Sequence, residues 1–593
     1  MSNSSASATM ALAIRETAAN HGDIVAVRTA DDEVSFTWSQ LLDEIDLIAG
    51  GLVGLGVGRP DTVALMMGNR PEFHIADMAV VTAGGTPFSV YQTYTADQIK
   101  YLLEDAAPKV AIVSSEYLDV MLEAQAGTSL ETIITVDGET DPARPILKAW
   151  ADVRGSNPSF DAQAAAEAVE EGDVLTLIYT SGTTGPPKGV ELTHGNLLPV
   201  TRAVAELVHL QPGDRLISWL PAAHIAERDA HHYIPIVYGA SITCCPDPRQ
   251  IIQFLPQVRP NWFFAVPRIW EKLKAGLEAM LAAQPPEQSA PLTEALADAI
   301  EAIQIGQRGD TVPADLAARV SHADETYFKG LRTMLGLDDV RTVGVGAAPT
   351  PPEVIEFFHA IGIELAELWG MSETCGYGTL NPAGAVRIGT VGPPSPGAEI
   401  KIAEDGEVLI RGACVMKGYR NNPKATAETI DTEGWLHTGD IGILDDAGYL
   451  KIVDRKKEII INAAGKNMSP ANIEATVKTS SPLIGQACVI GDARPYNTAL
   501  IVLDVDMAPA WGSQHGIATS DLATLSADPQ IRAELEAAID TANQKMARVE
   551  QIKRFVILPT DWEPGGDELT PTMKLKRKPI AAKYSAEIEE LYS

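Results

Sequence analysis

Positive charge is scarce in this sequence: 46 lysines and arginines stand against 79 aspartates and glutamates, a formal net charge of -33 over 593 residues. Nucleic acid, whose phosphates are drawn to basic faces, is thereby excluded as an expected partner, and broad adsorption to an anionic bilayer is disfavoured. Cysteine is scarcer still. The five, Cys244, Cys245, Cys375, Cys414 and Cys488, include one adjacent pair and no C-x-x-C spacing. That pattern fits a reducing compartment better than a disulfide framework, so the expected location is cytoplasmic. Uninterrupted apolar runs of the ~20 residues that cross a bilayer are also missing, which leaves peripheral contact as the most a membrane could have. Residues 1–10 are Ser/Ala-rich without a basic region or an apolar core and read as a disordered lead, not a signal peptide.

What is present is the material of a large globular protein. Apolar residues make up 45% and charged residues 21%, and the length exceeds what one core organises, so two or more domains are expected. Through residues 11–137 helical and strand-like patterns alternate: residues 41–55 carry apolar positions at helical spacing, while 62–67 and 109–114 are short buried-strand runs. Alternation of this kind predicts an α/β fold with mixed, largely parallel sheets. Residues 160–172, rich in Ala and Glu, read as a solvated connecting helix, and 192–208 as a helix whose entry contains Thr193 and Asn196. Residues 273–335 are Ala-, Glu- and Gln-rich with Pro-containing breaks, and read as a helical insertion on the surface.

The chemistry concentrates after the apolar strand 174–179, where residues 179–189 read Tyr-Thr-Ser-Gly-Thr-Thr-Gly-Pro-Pro-Lys-Gly. Gly182 and Gly185 permit backbone turns that aim N–H groups at an anion, Thr180, Ser181, Thr183 and Thr184 add hydroxyl donors, and Lys188 supplies a point charge. Two prolines precede the lysine and glycine follows it, so this is not a Walker A loop and a P-loop ATPase is disfavoured. The stretch resembles the phosphate loop of the adenylate-forming superfamily, which contains acyl-CoA synthetases, luciferases and peptide-synthetase adenylation domains.

Further segments agree with that resemblance over about residues 24–578. Residues 221–228 read Pro-Ala-Ala-His-Ile-Ala-Glu-Arg, and His224 takes the place of the side chain between nucleotide and acyl pocket. His231 and His232 lack the spacing of a zinc site. Gly346, Ala347 and Ala348 match a small-residue turn that lets adenine and the acyl carboxylate approach the backbone. In the run Trp369, Gly370, Met371, Ser372, Glu373, the resemblance gives Trp369 the adenine stack, Ser372 the α-phosphate and Glu373 the magnesium ion, with the Thr180 hydroxyl as a further metal oxygen. A hard cation takes one or two carboxylates beside substrate phosphates, so a single Glu suffices. Acetate-activating relatives carry a second tryptophan where Gly370 stands, and with Gly376 and Gly378 nearby its absence reads as an opened tunnel for a longer acyl chain. Asp440 matches the carboxylate on the ribose hydroxyls, Arg455 the nucleotide contact, Lys457 the hinge pivot and Gly465 the glycine beside the pantetheine tunnel. Lys574, in Thr-Pro-Thr-Met-Lys-Leu-Lys-Arg-Lys, matches the catalytic lysine, with Met573 in place of the usual glycine.

The resemblance therefore implies a large AMP-binding domain over 11–454, a small mobile α+β domain over 455–593, and a hinge near Lys457. It implies a fatty-acid CoA ligase, most like a bacterial long-chain enzyme, that uses ATP, Mg2+ and CoA, as a monomer or homodimer. An acyl-AMP ligase serving a carrier protein, and a catalytically silent nucleotide- or lipid-binding protein, are the alternatives left open.

Overall fold

The computed structural model describes residues 7–180, 186–463 and 466–593. The alternating segments build an eight-stranded sheet in the order Gly418–Tyr419, Lys188–Thr193, Val174–Thr180, Thr86–Ser89, Thr62–Met66, Val110–Val113, Thr132–Thr135, Leu147–Ala149. From Val174–Thr180 onward all neighbours are parallel. Parallel strands need crossovers that cover both faces, which is why Val63, Ala64, Leu65 and Met66 are all buried in succession. Lys188–Thr193 instead folds back antiparallel on Val174–Thr180, with Lys188 opposite Thr180. Two further four-stranded sheets are mostly parallel; the second joins Trp262–Ala265, Thr342–Val345 and Leu365–Trp369 in parallel and ends on antiparallel Thr379–Leu380. A fourth, antiparallel sheet runs Ala398–Ile402, Glu407–Gly412, Leu436–Leu444, Leu450–Arg455.

The smaller C-terminal part has its own sheet, Ile484–Ile490 and Asn497–Leu503 antiparallel with Ile552–Leu558 added in parallel. Helices Pro470–Thr479 and Pro529–Lys545 bury Ile473, Val477, Leu535 and Ile539 on one side, and Trp562 and Ile580 fill the other. Ion pairs tie this part to the larger one: Arg268 with Asp504, Lys272 with Asp506 at 3.1 Å and Lys545 with Glu353 at 3.1 Å. Among the described residues no helix is long and apolar enough to cross a membrane.

Four expectations change in detail. The helix Met10–His21 starts inside the stretch read as a lead, because the Thr9 hydroxyl caps it and Met10 and Ile14 are buried; residues 1–6 lie outside the described chain. Residues 160–172 hold helix only over Ala162–Glu167, since no apolar stripe extends it. The helix expected from 192 starts at His194: Thr193 is its N-cap, in a capping box with Asn196, and Leu192 still belongs to the strand. Residues 273–335 are helical, but the helices begin at Pro267 and are not merely a surface addition. Trp270, Leu273, Leu277, Leu296 and Phe328 are buried in the core with Val343 and Phe358.

Candidate active site

Strand pairing brings together residues far apart in sequence. Tyr419 pairs with Val190, and the Arg420 N–H donates to the Gly189 carbonyl at 2.8 Å. The Tyr419 ring thereby lies 4.4 Å from the Lys188 ammonium, and its hydroxyl donates to Glu373 Oε1 at 2.8 Å. Thr180 ends its strand across from Lys188. Ser181, Gly182, Thr183, Thr184, Gly185 and Gly465 lie outside the described residues.

The opposite wall is built from Trp369, Asp440 and Arg455. The Trp369 indole donates to Asp440 Oδ2 at 2.8 Å, and the other carboxylate oxygen pairs with Arg455 Nε at 3.0 Å. Both donors hold an acceptor-only group that could exchange them for a vicinal diol. Beside them the chain turns at Gly346, Ala347 and Ala348 after the strand Thr342–Val345. Ala347 has φ +70°, and a side chain on Gly346 would meet the Leu368 carbonyl at 2.9 Å. Met371 precedes a single turn at Ser372–Thr374 that carries Glu373 into the buried interior. Lys457 is exposed just beyond Arg455, where the chain leaves the last sheet of the larger part.

Lys574 arrives from the C-terminal part. It sits in a tight turn in which its N–H donates to Thr570 Oγ1 at 3.0 Å and its carbonyl accepts from the Thr570 N–H at 2.8 Å. Met573 has φ +65°, in the left-handed region that favours glycine, so the residue that departs from the usual pattern keeps the turn that glycine would make. Arg577 anchors the segment, forking onto buried Glu474 at 2.6 and 2.8 Å and reaching Glu458 at 3.2 Å.

Burial pushes the Lys574 ammonium down to about 8, assisted by the Arg455 charge and opposed by Asp440 and Glu373. The same groups thus surround the lysine that the motifs assign to one site. His224 is next to it: burial and then the Lys574 charge lower its imidazole to about 4, and its Nδ1 accepts the Ala226 N–H at 3.1 Å, so the ring is neutral with its proton on Nε2. A lysine needed as a cation is charged below its pKa and lost above it. The expected kcat/KM for pyrophosphate release, which reports the free enzyme, therefore falls above about pH 8. The kcat limb lies higher because bound phosphates raise the lysine again, and Lys574→Arg removes the limb, since a guanidinium stays charged. Paired pH–rate profiles of the two proteins check this.

Glu373 and Thr180 offer hard oxygen donors, and among the described residues Glu373 Oε2 has no hydrogen-bond partner. Among those residues no group of three or more His, Cys, Asp or Glu could hold a metal by itself. The donor set fits a magnesium ion shared with substrate phosphates. His231 and His232 belong elsewhere: His231 pairs with buried Glu227 at 2.7 Å, His232 with Asp77 at 3.1 Å.

The AMP-binding enzyme family matches residues 14–420, and its AMP-binding enzyme C-terminal domain matches residues 457–593. The chain belongs to the AMP-binding enzyme family. Among its relatives, a Mycobacterium tuberculosis protein provisionally named fatty-acid–CoA ligase fadD11 is 51% identical over 74% of this chain and 77% of its own. Long-chain-fatty-acid–CoA ligase FadD15 of Mycobacterium bovis is 35% identical over 94% of this chain and 92% of its own. The fold is that of the anthranilate CoA ligase AuaEII solved with anthranoyl-AMP, at TM-score 0.71 and 18% identity, covering 98% of both chains.

For this AMP-binding enzyme the opened-tunnel reading of Gly370 needs correction. A Cβ on Gly370 would lie 2.2 Å from the Gly376 carbonyl oxygen and 2.6 Å from the Tyr377 nitrogen, and one on Gly378 would meet the Trp369 ring at 2.7 Å. These glycines let backbone and indole pack closely, so the space Gly370 leaves is filled. An apolar cavity does lie nearby, between helix His194–Val208 and the Leu365–Trp369 sheet. It is lined by Val204, Leu368, Gly376, Tyr377, Gly378 and Leu380. Tyr419 is the site residue that sequence reasoning missed. Only a Gly-Tyr pair between Lys417 and Arg420 marked it, and nothing local ties that pair to Lys188 or Glu373.

Proposed function

We propose that this enzyme joins a fatty acid of medium to long chain, long chains favoured, to coenzyme A through an acyl-adenylate. The observation that carries the reading is Lys574, half-buried among Glu373, Asp440, Arg455 and His224 although it comes from the far end of the chain. The names of the relatives support the substrate class.

In the first step a carboxylate oxygen of the acid attacks the α-phosphorus of ATP, forming an acyl–phosphate bond as the bond to pyrophosphate breaks. Trp369 stacks on adenine against the Gly346, Ala347 and Ala348 turn, with Met371 and Gly370 completing that wall, and Asp440 exchanges its present donors for the ribose hydroxyls. Thr180, Lys188 and the residues between them hold the phosphates, Ser372 donates to the α-phosphate, and His224 separates nucleotide from acid. Magnesium, when bound at Glu373 and Thr180, offsets phosphate charge. Lys574 places its ammonium against the charge that builds on the phosphoryl oxygens, where preorganised groups are most effective.

In the second step the CoA sulfur attacks the carbonyl carbon, a C–S bond forms, and AMP departs with the electron pair of the broken C–O bond. Lys574 occupies the approach. The small C-terminal domain, which follows the last strand of the larger part, turns about Lys457, withdraws the lysine and brings the Gly465 segment inward, a hinge motion of ordinary type.

Pyrophosphate release with ATP and magnesium, across saturated acids from acetate to long chains and with or without CoA, tests the reading. CoA-dependent turnover should exceed that of acetate by about a hundredfold or more for long acids, since each methylene adds to pocket discrimination. Release that ignores CoA and stops after one turnover would point to a carrier-protein acceptor. No release with any acid would leave a binding protein.

A further inference from the structure

A carboxylate and an ammonium that contact the same side chain could pair, and each would then be spent on the other. Lys188 and Glu373 do not. Among the described residues, neither has an oppositely charged group at ion-pair distance. Tyr419 stands between them, its ring face toward the ammonium at 4.4 Å and its hydroxyl donating to the carboxylate at 2.8 Å. We propose that Tyr419 is a positioning residue that keeps Lys188 and Glu373 apart, each facing the phosphates, and so sets the magnesium requirement of ATP binding. The proposal rests on the reading above in which Lys188 meets phosphate and Glu373 the cation.

The tyrosine is fixed well enough to do this. Its own N–H donates to Thr426 Oγ1 at 2.9 Å, and Gly418 beside it admits Thr426, whose side chain would lie 3.0 Å from any Cβ there. The Met416 N–H donates to the Glu373 carbonyl at 2.9 Å, so the segment that presents Tyr419 is tied to the backbone of the residue whose side chain it orients. Tyr419 is 8% exposed, with its ring and hydroxyl both committed. The two contacts suit a site that must be emptied and filled. An ammonium on a ring face is held more weakly than one in a desolvated ion pair and can move to a phosphate oxygen. A hydroxyl donating to one carboxylate oxygen fixes the rotamer and leaves the other oxygen for the cation.

Calorimetric titration of ATP without fatty acid, at graded magnesium and with a chelator, separates this role from a purely structural one. Tyr419→Phe keeps the ring and loses the hydroxyl. It should raise the magnesium concentration for half-maximal tight binding by roughly tenfold, the scale of one charge-assisted hydrogen bond, while chelator-condition affinity stays within about twofold. Tyr419→Leu, which also removes the platform for Lys188, should weaken binding in both conditions. A Tyr419→Phe protein that binds more weakly to the same degree with and without magnesium would show only a packing role and overturn the proposal. Glu373→Gln separates the two layers. If it raises the magnesium requirement and Tyr419→Phe does not, the proposal falls and the site reading stands; if neither does, both fall.

Discussion

Lys574→Ala should cost about a thousandfold in acyl-adenylate formation and leave thioester formation from supplied acyl-adenylate within about threefold of the unaltered enzyme, on the scale of removing one preorganised charge from a phosphoryl-transfer site. The structure supports the asymmetry. Lys574 is held in its loop by its turn to Thr570 and by Arg577, whose fork onto Glu474 and reach to Glu458 fasten the loop to the rest of the C-terminal part. The substitution removes the ammonium and none of those contacts, so the loop stays while the charge goes. In the proposed thioester step the lysine has withdrawn, and the substitution leaves that step untouched. Following pyrophosphate release and acyl-CoA formation separately, the second from synthetic adenylate, measures both halves in one preparation. Equal loss in the two would mean that Lys574 serves both steps or none specifically, and the division of labour would have to be abandoned.

How much of this site was legible beforehand depends on whether a residue's part is written in its own neighbourhood. Lys188, Trp369, Glu373, Asp440 and Lys574 each sit in a run whose residue types and order carry the resemblance, and the fold brings them to one place. Trp369 and Asp440, 71 positions apart, share a hydrogen bond. Tyr419 was not legible because its role comes from a strand pairing. Only the ladder between Gly418–Tyr419 and Lys188–Thr193 sets it over Lys188, and register is a property of two segments together. The insertion was legible as helix and not as core, because an amphipathic pattern gives period without saying what covers the apolar face. Met573 illustrates a third kind of gap. A missing glycine suggests a changed turn, yet the backbone adopts φ +65° all the same, and the surrounding hydrogen bonds of Thr570 and Lys574 override the local preference.

Gly370 is the position where sequence and structure part most sharply, and Gly370→Ala decides between them. An absent side chain can mean open space or space already taken, and the sequence does not distinguish the two. Here the nearest atoms to a new Cβ are backbone atoms of Gly376 and Tyr377 at 2.2, 2.3 and 2.6 Å, which cannot rotate aside as a flexible side chain would. Gly376 itself has φ +75°, and the Gly376 N–H donates to the Met371 carbonyl at 2.8 Å, so the segment is pinned from its other side as well. Alanine should therefore destabilise the larger part by about 3 kcal/mol or more, the range of overpacking against an unyielding neighbour. The loss would appear as a lower urea midpoint at unchanged slope. Activity should fall for short and long acids alike. Were Gly370 instead the open floor of an acyl tunnel, alanine would leave the midpoint in place and penalise long acids alone. Val204→Trp supplies the contrast, because Val204 lines the apolar cavity while the space beside Gly370 is taken by backbone. A large ring there should cut turnover of long acids by about tenfold or more while short acids are spared, the discrimination expected when pocket volume is filled. If Val204→Trp left the chain-length profile unchanged while Gly370→Ala shifted it, the acyl chain would run past Gly370 after all.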